Sequence, residues 1–102
     1  MATYQLLIVT PTGKAFDDKV VSLTAPGALG LFGVLANHAP MLTSLKNGVL
    51  QLKQETGEKF FSLGPGVLEV NPKHNVLILA DSAAEARSME EAKEKIGKPE
   101  NS

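Results

Sequence analysis

A chain of 102 residues, 43% hydrophobic and 21% charged, has room for one domain, and a domain of that size buries only about 65% of its unfolded surface. Ten Lys and Arg against eleven Asp and Glu leave a net charge of −1, scattered along the chain, so no basic stripe offers to neutralise phosphates and nucleic acid is excluded as a partner. The absence of cysteine removes disulfides, thiolate nucleophiles and sulfur metal sites together.

Residues 1–9 carry no basic leader, and their longest apolar run, residues 6–9, is too short for a signal segment or a span. A cytoplasmic chain is expected, reaching a membrane only through a protein partner. In residues 3–10, Tyr4, Leu6 and Ile8 alternate with Gln5, Leu7 and Val9, so both faces are largely apolar. That predicts a strand covered on both sides or touching another protein. Pro11-Thr12-Gly13 is a turn. Residues 14–16 and 20–24 are strand pieces, and Asp17-Asp18-Lys19 between them predicts a bulge.

Residues 22–52 organise the rest. Gly27, Gly30 and Gly33 are threaded through Leu29, Leu31, Phe32, Val34 and Leu35, as a loop or short edge strand requires. Asn37-His38-Ala39-Pro40 is a turn, because Asn tolerates left-handed dihedrals and Pro40 forces Ala39 extended. Asn47-Gly48 leads into a strand over residues 49–52, and residues 50–53 and 59–62 flank a polar hairpin tip. Beyond Gly64-Pro65-Gly66, residues 67–70 and 76–79 flank another turn, so residues 48–80 are a run of antiparallel strands. Short strands at this spacing predict a mainly β fold, an N-terminal antiparallel β-sandwich with Phe16, Leu50, Leu52, Phe61, Leu68 and Ile78 in its core. At Asp81 the pattern changes. Ser82-Ala83-Ala84-Glu85 spells a capping box, and Ala83, Ala86, Met89, Ala92 and Ile96 follow at helical spacing until Gly97 and Pro99. The predicted division is a sandwich over residues 1–81, one short C-terminal helix over 82–97 and a disordered tail over 98–102.

Catalytic chemistry is not spelled. His38 and His74 are the only histidines and share no metal-ligand spacing. The three glycines form neither a dinucleotide fingerprint nor a phosphate loop. Ser62, in F-S-L-G-P-G, is outside any nucleophile elbow, and the adjacent Asp17 and Asp18 point to opposite faces of an extended chain. The expectation is a non-enzyme with no catalytic residue, cofactor or metal. What stands out is apolar surface: Leu29, Leu31 and Phe32 cannot all point into so small a sandwich, so they mark an interface, unless two of them plug its open end. His38 reads either as a turn imidazole bonding a nearby carbonyl or as a contact to a partner.

The run T-A-P-G-x-x-G-x-x-G-V-L-x-N-H-A-P-x-L-T-x-L-K-x-G-V-L resembles the epsilon subunits of bacterial F-type ATP synthases. So do Y-Q-L-x-I-V-T-P-x-G from Tyr4, G-x-L-E-V-x-P from Gly66 and L-A-D-S-A from Leu79, in the family's order and at about its spacing. The resemblance implies a sandwich of about ten strands followed by paired helices, binding the gamma subunit and resting on the polar loops of the c-ring. It also implies a subunit peripheral to the cytoplasmic face of the inner membrane, monomeric when isolated. Ala28, Leu29, Gly30, Leu31 and Phe32 match the ring-facing loop, with His38, Pro40 and Met41 beside it. Where family members often carry acids, this chain has Leu29 and Leu31, which implies an apolar contact. Met89-Glu90-Glu91-Ala92-Lys93-Glu94 replaces the family's I-D-x-x-R-A, tied in some members to ATP, and no second helix follows, so a short form with weak or no inhibition of hydrolysis is expected. The alternative is a free-standing β-sandwich ligand-binding module, but no Trp, one Tyr and four Phe offer few aromatic platforms.

Overall fold

A computed structural model describes residues 1–96, over which the chain forms ten strands and one helix. In order these are β1 (Tyr4–Thr10), β2 (Gly13–Val20), β3 (Ser22–Gly27), β4 (Gly30–Leu35), β5 (Met41–Leu45), β6 (Gly48–Gln54), β7 (Gly57–Leu63), β8 (Gly66–Val70), β9 (Val76–Ala80), β10 (Ala83–Ala86) and α1 (Met89–Lys95). The strands follow the path β10-β7-β6-β3-β5-β8-β9-β1-β2, with β4 attached to β3 alone, and this continuous sheet folds over on itself as a sandwich. The predicted mainly β fold with a short C-terminal helix is what the chain adopts.

One ladder is not antiparallel. β1 pairs with β2 on one side and runs parallel to β9 on the other, Leu6 to Leu7 to Ile8 opposite Val76 to Leu77 to Ile78. Both faces of β1 are apolar, but only one is buried: Tyr4, Leu6 and Ile8 are in the core, while Leu7 and Val9 are half-buried on the other face, beside Leu77 and Leu79 of β9.

The expected bulge at Asp17-Asp18-Lys19 is absent, and β2 runs straight through them. The register slips earlier: Ile8 faces Phe16 and Val9 faces Lys14, which leaves Ala15 as the extra residue. The charges need no bulge because β2 ends the sheet path and an edge strand keeps them in water. Asp17 accepts from the Gln5 amide (2.8 Å) and from Lys14 (3.1 Å), whereas Asp18 accepts from Gln54 (3.4 Å), on the opposite side.

The core is built from alternate residues. Leu50, Leu52, Phe61, Leu68 and Ile78 are buried as expected, and Phe16, half-buried, packs edge-to-face on Phe61 with ring centroids 5.9 Å apart. Gly66 allows β8 to close against β9, since a Cβ there would collide with the Leu79 carbonyl and come within 2.7 Å of the Ala80 Cα.

The helix starts later than expected. Residues 83–86 are not helical but form β10, Ala83 opposite Leu63 and Ala86 opposite Phe60. Two segments spell S-x-x-E, Ser82-Ala83-Ala84-Glu85 and Ser88-Met89-Glu90-Glu91, and the second is the cap used: the Ser88 hydroxyl accepts from the Glu91 amide (3.1 Å). The first is taken by the outer edge of β7, whose amides and carbonyls require partners that only an extended chain can supply. The β structure thus extends to Ala86 rather than residue 81, and α1 occupies Met89–Lys95 of the predicted 82–97. The Ser62 hydroxyl donates to the Ala92 carbonyl, and Ala92 is fully buried, so the sandwich holds α1 in place. Gly97 and the expected tail over 98–102 lie outside the described residues.

Candidate docking surface

The hairpin β3–β4 turns over Ala28-Leu29, closed by the pair Gly27 and Gly30. Gly30, with φ +135, takes a conformation that side chains rarely adopt, and Gly27 makes room for a ring, a Cβ there lying 2.8 Å from Phe32 Cδ1. Along β4 the two-residue period divides the side chains: Phe32 and Val34 turn to the core, while Leu31 and Leu35 turn out. Of the three residues in question, Phe32 therefore closes the sandwich and the other two do not. Leu29 is wholly exposed and Leu31 is 72% exposed. β4 is pinned from below by Tyr4, whose buried hydroxyl donates to the Val34 carbonyl (2.7 Å), and burial pushes that phenol well above its ordinary pKa.

Asn37, at φ 66, turns the chain after β4. His38 is the turn imidazole: its Nδ1 donates to the Ala39 carbonyl (2.7 Å), and its own carbonyl accepts from His74 Nδ1 (2.9 Å). A cavity of about 510 Å³ brings Leu29, Gly30, Leu31, Phe32, His38 and Met41 together with Thr43 and Ser44. Pro40 is exposed nearby but does not line it. His74 was missed by sequence reasoning, since the only signal for it is a turn that its own left-handed φ of 67 completes. On the far side of Leu31 a second groove of about 480 Å³ runs between Pro26, Val49, Met89 and Ile96, flanked by Lys46 and Lys93. From Val20 to Leu45 the chain carries no Asp, Glu, Lys or Arg. Four exposed leucines, Leu29, Leu31, Leu35 and Leu42, fall in that uncharged stretch, a composition suited to the desolvated centre of an interface.

The family model described as "ATP synthase, Delta/Epsilon chain, beta-sandwich domain" matches residues 3–86. The chain belongs to the ATP synthase delta/epsilon chain family. An ATP synthase epsilon chain of Alkalilimnicola ehrlichii is 39% identical over 93 residues, covering 90% of this chain and 66% of that one. One of Caulobacter vibrioides is 41% identical over 86 residues, covering 84% of this chain and 99% of that one. The chain thus spans about two thirds of the length of the first relative and nearly all of the second. A chain in the cryo-EM structure of the Euglena gracilis mitochondrial ATP synthase, OSCP/F1/c-ring, aligns with a TM-score of 0.77 at 24% identity, over 83% of this chain and 54% of that one, a likeness of fold.

Around the start of α1, the segment that stands in place of the family's helix motif is used structurally. Glu91 accepts from the Arg87 amide (3.1 Å) and approaches its Nε (3.4 Å), and these bonds, the backbone one first, hold its carboxyl below the usual range. Lys93 is exposed beside the second groove. Among the described residues no helix is long and apolar enough to cross a membrane, and no three His, Asp or Glu side chains are grouped as metal ligands.

Proposed function

We propose that this chain is the epsilon-type rotor subunit of a proton-translocating ATP synthase, a non-catalytic piece that binds gamma and rests on the c-ring, so that proton flow and ATP synthesis are coupled through it. The observation that carries this reading is the hairpin β3–β4: Leu29 and Leu31 exposed at its tip, in a stretch of chain without Asp, Glu, Lys or Arg, with Phe32 packed beneath. Leu29, Gly30, Leu31, Phe32, His38, Pro40 and Met41 form the interface, with Phe32 acting from below and His38 fixing the neighbouring turn. The contact is apolar. The subunit is peripheral to the membrane, at the cytoplasmic face of the inner membrane, reaches it only through the ring, and is a monomer when isolated. A ligand-binding module is disfavoured, because Phe32 is the one aromatic lining either groove.

Inhibition of hydrolysis is weak in this reading. Lys93 replaces the arginine of the family motif and cannot present its two-pronged donor fork to a phosphate.

The test is co-purification with gamma and the ring. Leu31→Asp is expected to weaken assembly while changing the isolated domain's stability by no more than about 1 kcal/mol, as surface substitutions do. Unfolding of the isolated variant would place Leu31 in the core and overturn the interface.

A further inference from the structure

β5 has one open side. It pairs with β8 along its whole length, but on its other flank it meets β3 only where Leu45 faces Gly27. There the Ala28 amide donates to the Ser44 carbonyl (3.2 Å) and the Lys46 amide to the Pro26 carbonyl (2.9 Å). Then β3 turns back through Ala28-Leu29 into β4, and β5 continues without a neighbour. Backbone groups alternate sides along a strand, so Leu42 turns its amide and carbonyl the same way as Ser44 and Lys46. The open side therefore offers the Leu42 amide and carbonyl and the Ser44 amide, none of which has a strand partner among the described residues. This edge borders the 510 Å³ cavity, whose far wall is the hairpin tip.

We propose that the open edge of β5 accepts an added strand, an extended segment with apolar inward side chains, from the partner that the hairpin docks. The inference rests on the docking reading above and says how the backbone takes part. A helix would leave the Leu42 groups unpaired, because its own amides and carbonyls are satisfied internally, whereas a strand supplies both donors and acceptors at the spacing β5 demands. The lining limits the occupant further: Leu42 is exposed on this strand, and Leu29, Leu31, Phe32 and Met41 line the cavity, so the side chains that the segment turns inward are apolar. The site is continuous with the docking surface, since Met41 and Thr43 line the same cavity as Leu29 and Leu31. About three or four residues are enough, at roughly 3.3 Å each, with alternate side chains entering the cavity.

Amide hydrogen exchange in the purified synthase carrying this chain, compared with the isolated chain, tests the proposal. Exchange at Leu42 and Ser44 is expected to slow about tenfold or more on assembly, while the Thr43 amide, turned toward β8, is protected in both. If the chain is held in the complex and Leu42 and Ser44 still exchange at the isolated rate, docking is through side chains alone and the added strand is wrong. If no complex forms, the docking reading itself fails and this inference with it. Protection in the isolated chain that grows with its concentration would mean that a second copy fills the edge, which also overturns the proposal.

Discussion

Phe61 is 2% exposed and Phe60 is half-buried on the other face of β7, so the two adjacent rings carry different loads. Phe61→Ala is expected to cost about 3–5 kcal/mol, because it empties the core and removes the edge contact to Phe16. Phe60→Ala should cost clearly less. Urea midpoints of the two variants decide it, and equal losses would refute the facing of β7. The carboxylates give a second residue-level expectation. Glu91 is held below its ordinary value of 4.5 by Arg87 first, and Asp17 below 3.8 by Lys14 and then Gln5. A carboxyl lowered by folding contributes stability above its unfolded pKa, and that contribution fades as pH falls through the folded value. Both contributions are thus intact at neutral pH and lost in acid below about pH 4. Glu91→Gln should flatten that part of the stability profile, and an unchanged acid slope would remove Glu91 from it. Alternation made the inward residues readable from sequence, since each strand carries its own period. Ser62 and His74 were opaque because their partners, Ala92 and the His38 carbonyl, lie 30 and 36 residues away.

At the scale of elements, the turns and hairpins were legible and the helix start was not. Gly57 with φ +141 and Asn37 with φ 66 are where turn chemistry asked for them. Two S-x-x-E segments six residues apart cannot be ranked by local propensity; the open edge of β7 ranks them, and that edge exists only after the sheet has formed. The expected consequence is unequal serines. Ser88→Ala should cost about 1 kcal/mol by losing the helix cap, and amide exchange in α1 should quicken. Ser82→Ala should leave α1 exchange unaltered, and faster α1 exchange in that variant would restore Ser82 as the cap. The hairpin β3–β4 was half legible: its apolar excess was plain in the sequence, but which leucines remained outside depended on Phe32 finding the space over Gly27.

For the whole molecule, the reading of weak inhibition makes a direct prediction. ATP hydrolysis by a reconstituted catalytic head should change little when this 102-residue chain is added, and the isolated chain should not bind ATP tightly. Strong suppression of hydrolysis, or tight ATP binding, would contradict the role assigned to Lys93. The parallel pairing of β1 with β9 has a different kind of consequence, in the order of folding. Gln5 and Asn75 are bonded across 70 residues of chain, and the same ladder sets Leu6 beside Val76. Such a contact repays its loop-closure entropy only after everything between has been made. On the ribosome, where chains grow at about 5–20 residues per second, Tyr4, Leu6 and Ile8 must wait several seconds with their apolar face uncovered until β9 emerges. The hairpins β6–β7 and β8–β9 can form as they appear, but the sandwich closes late and in one step, when its first strand is inserted between its ninth and its second.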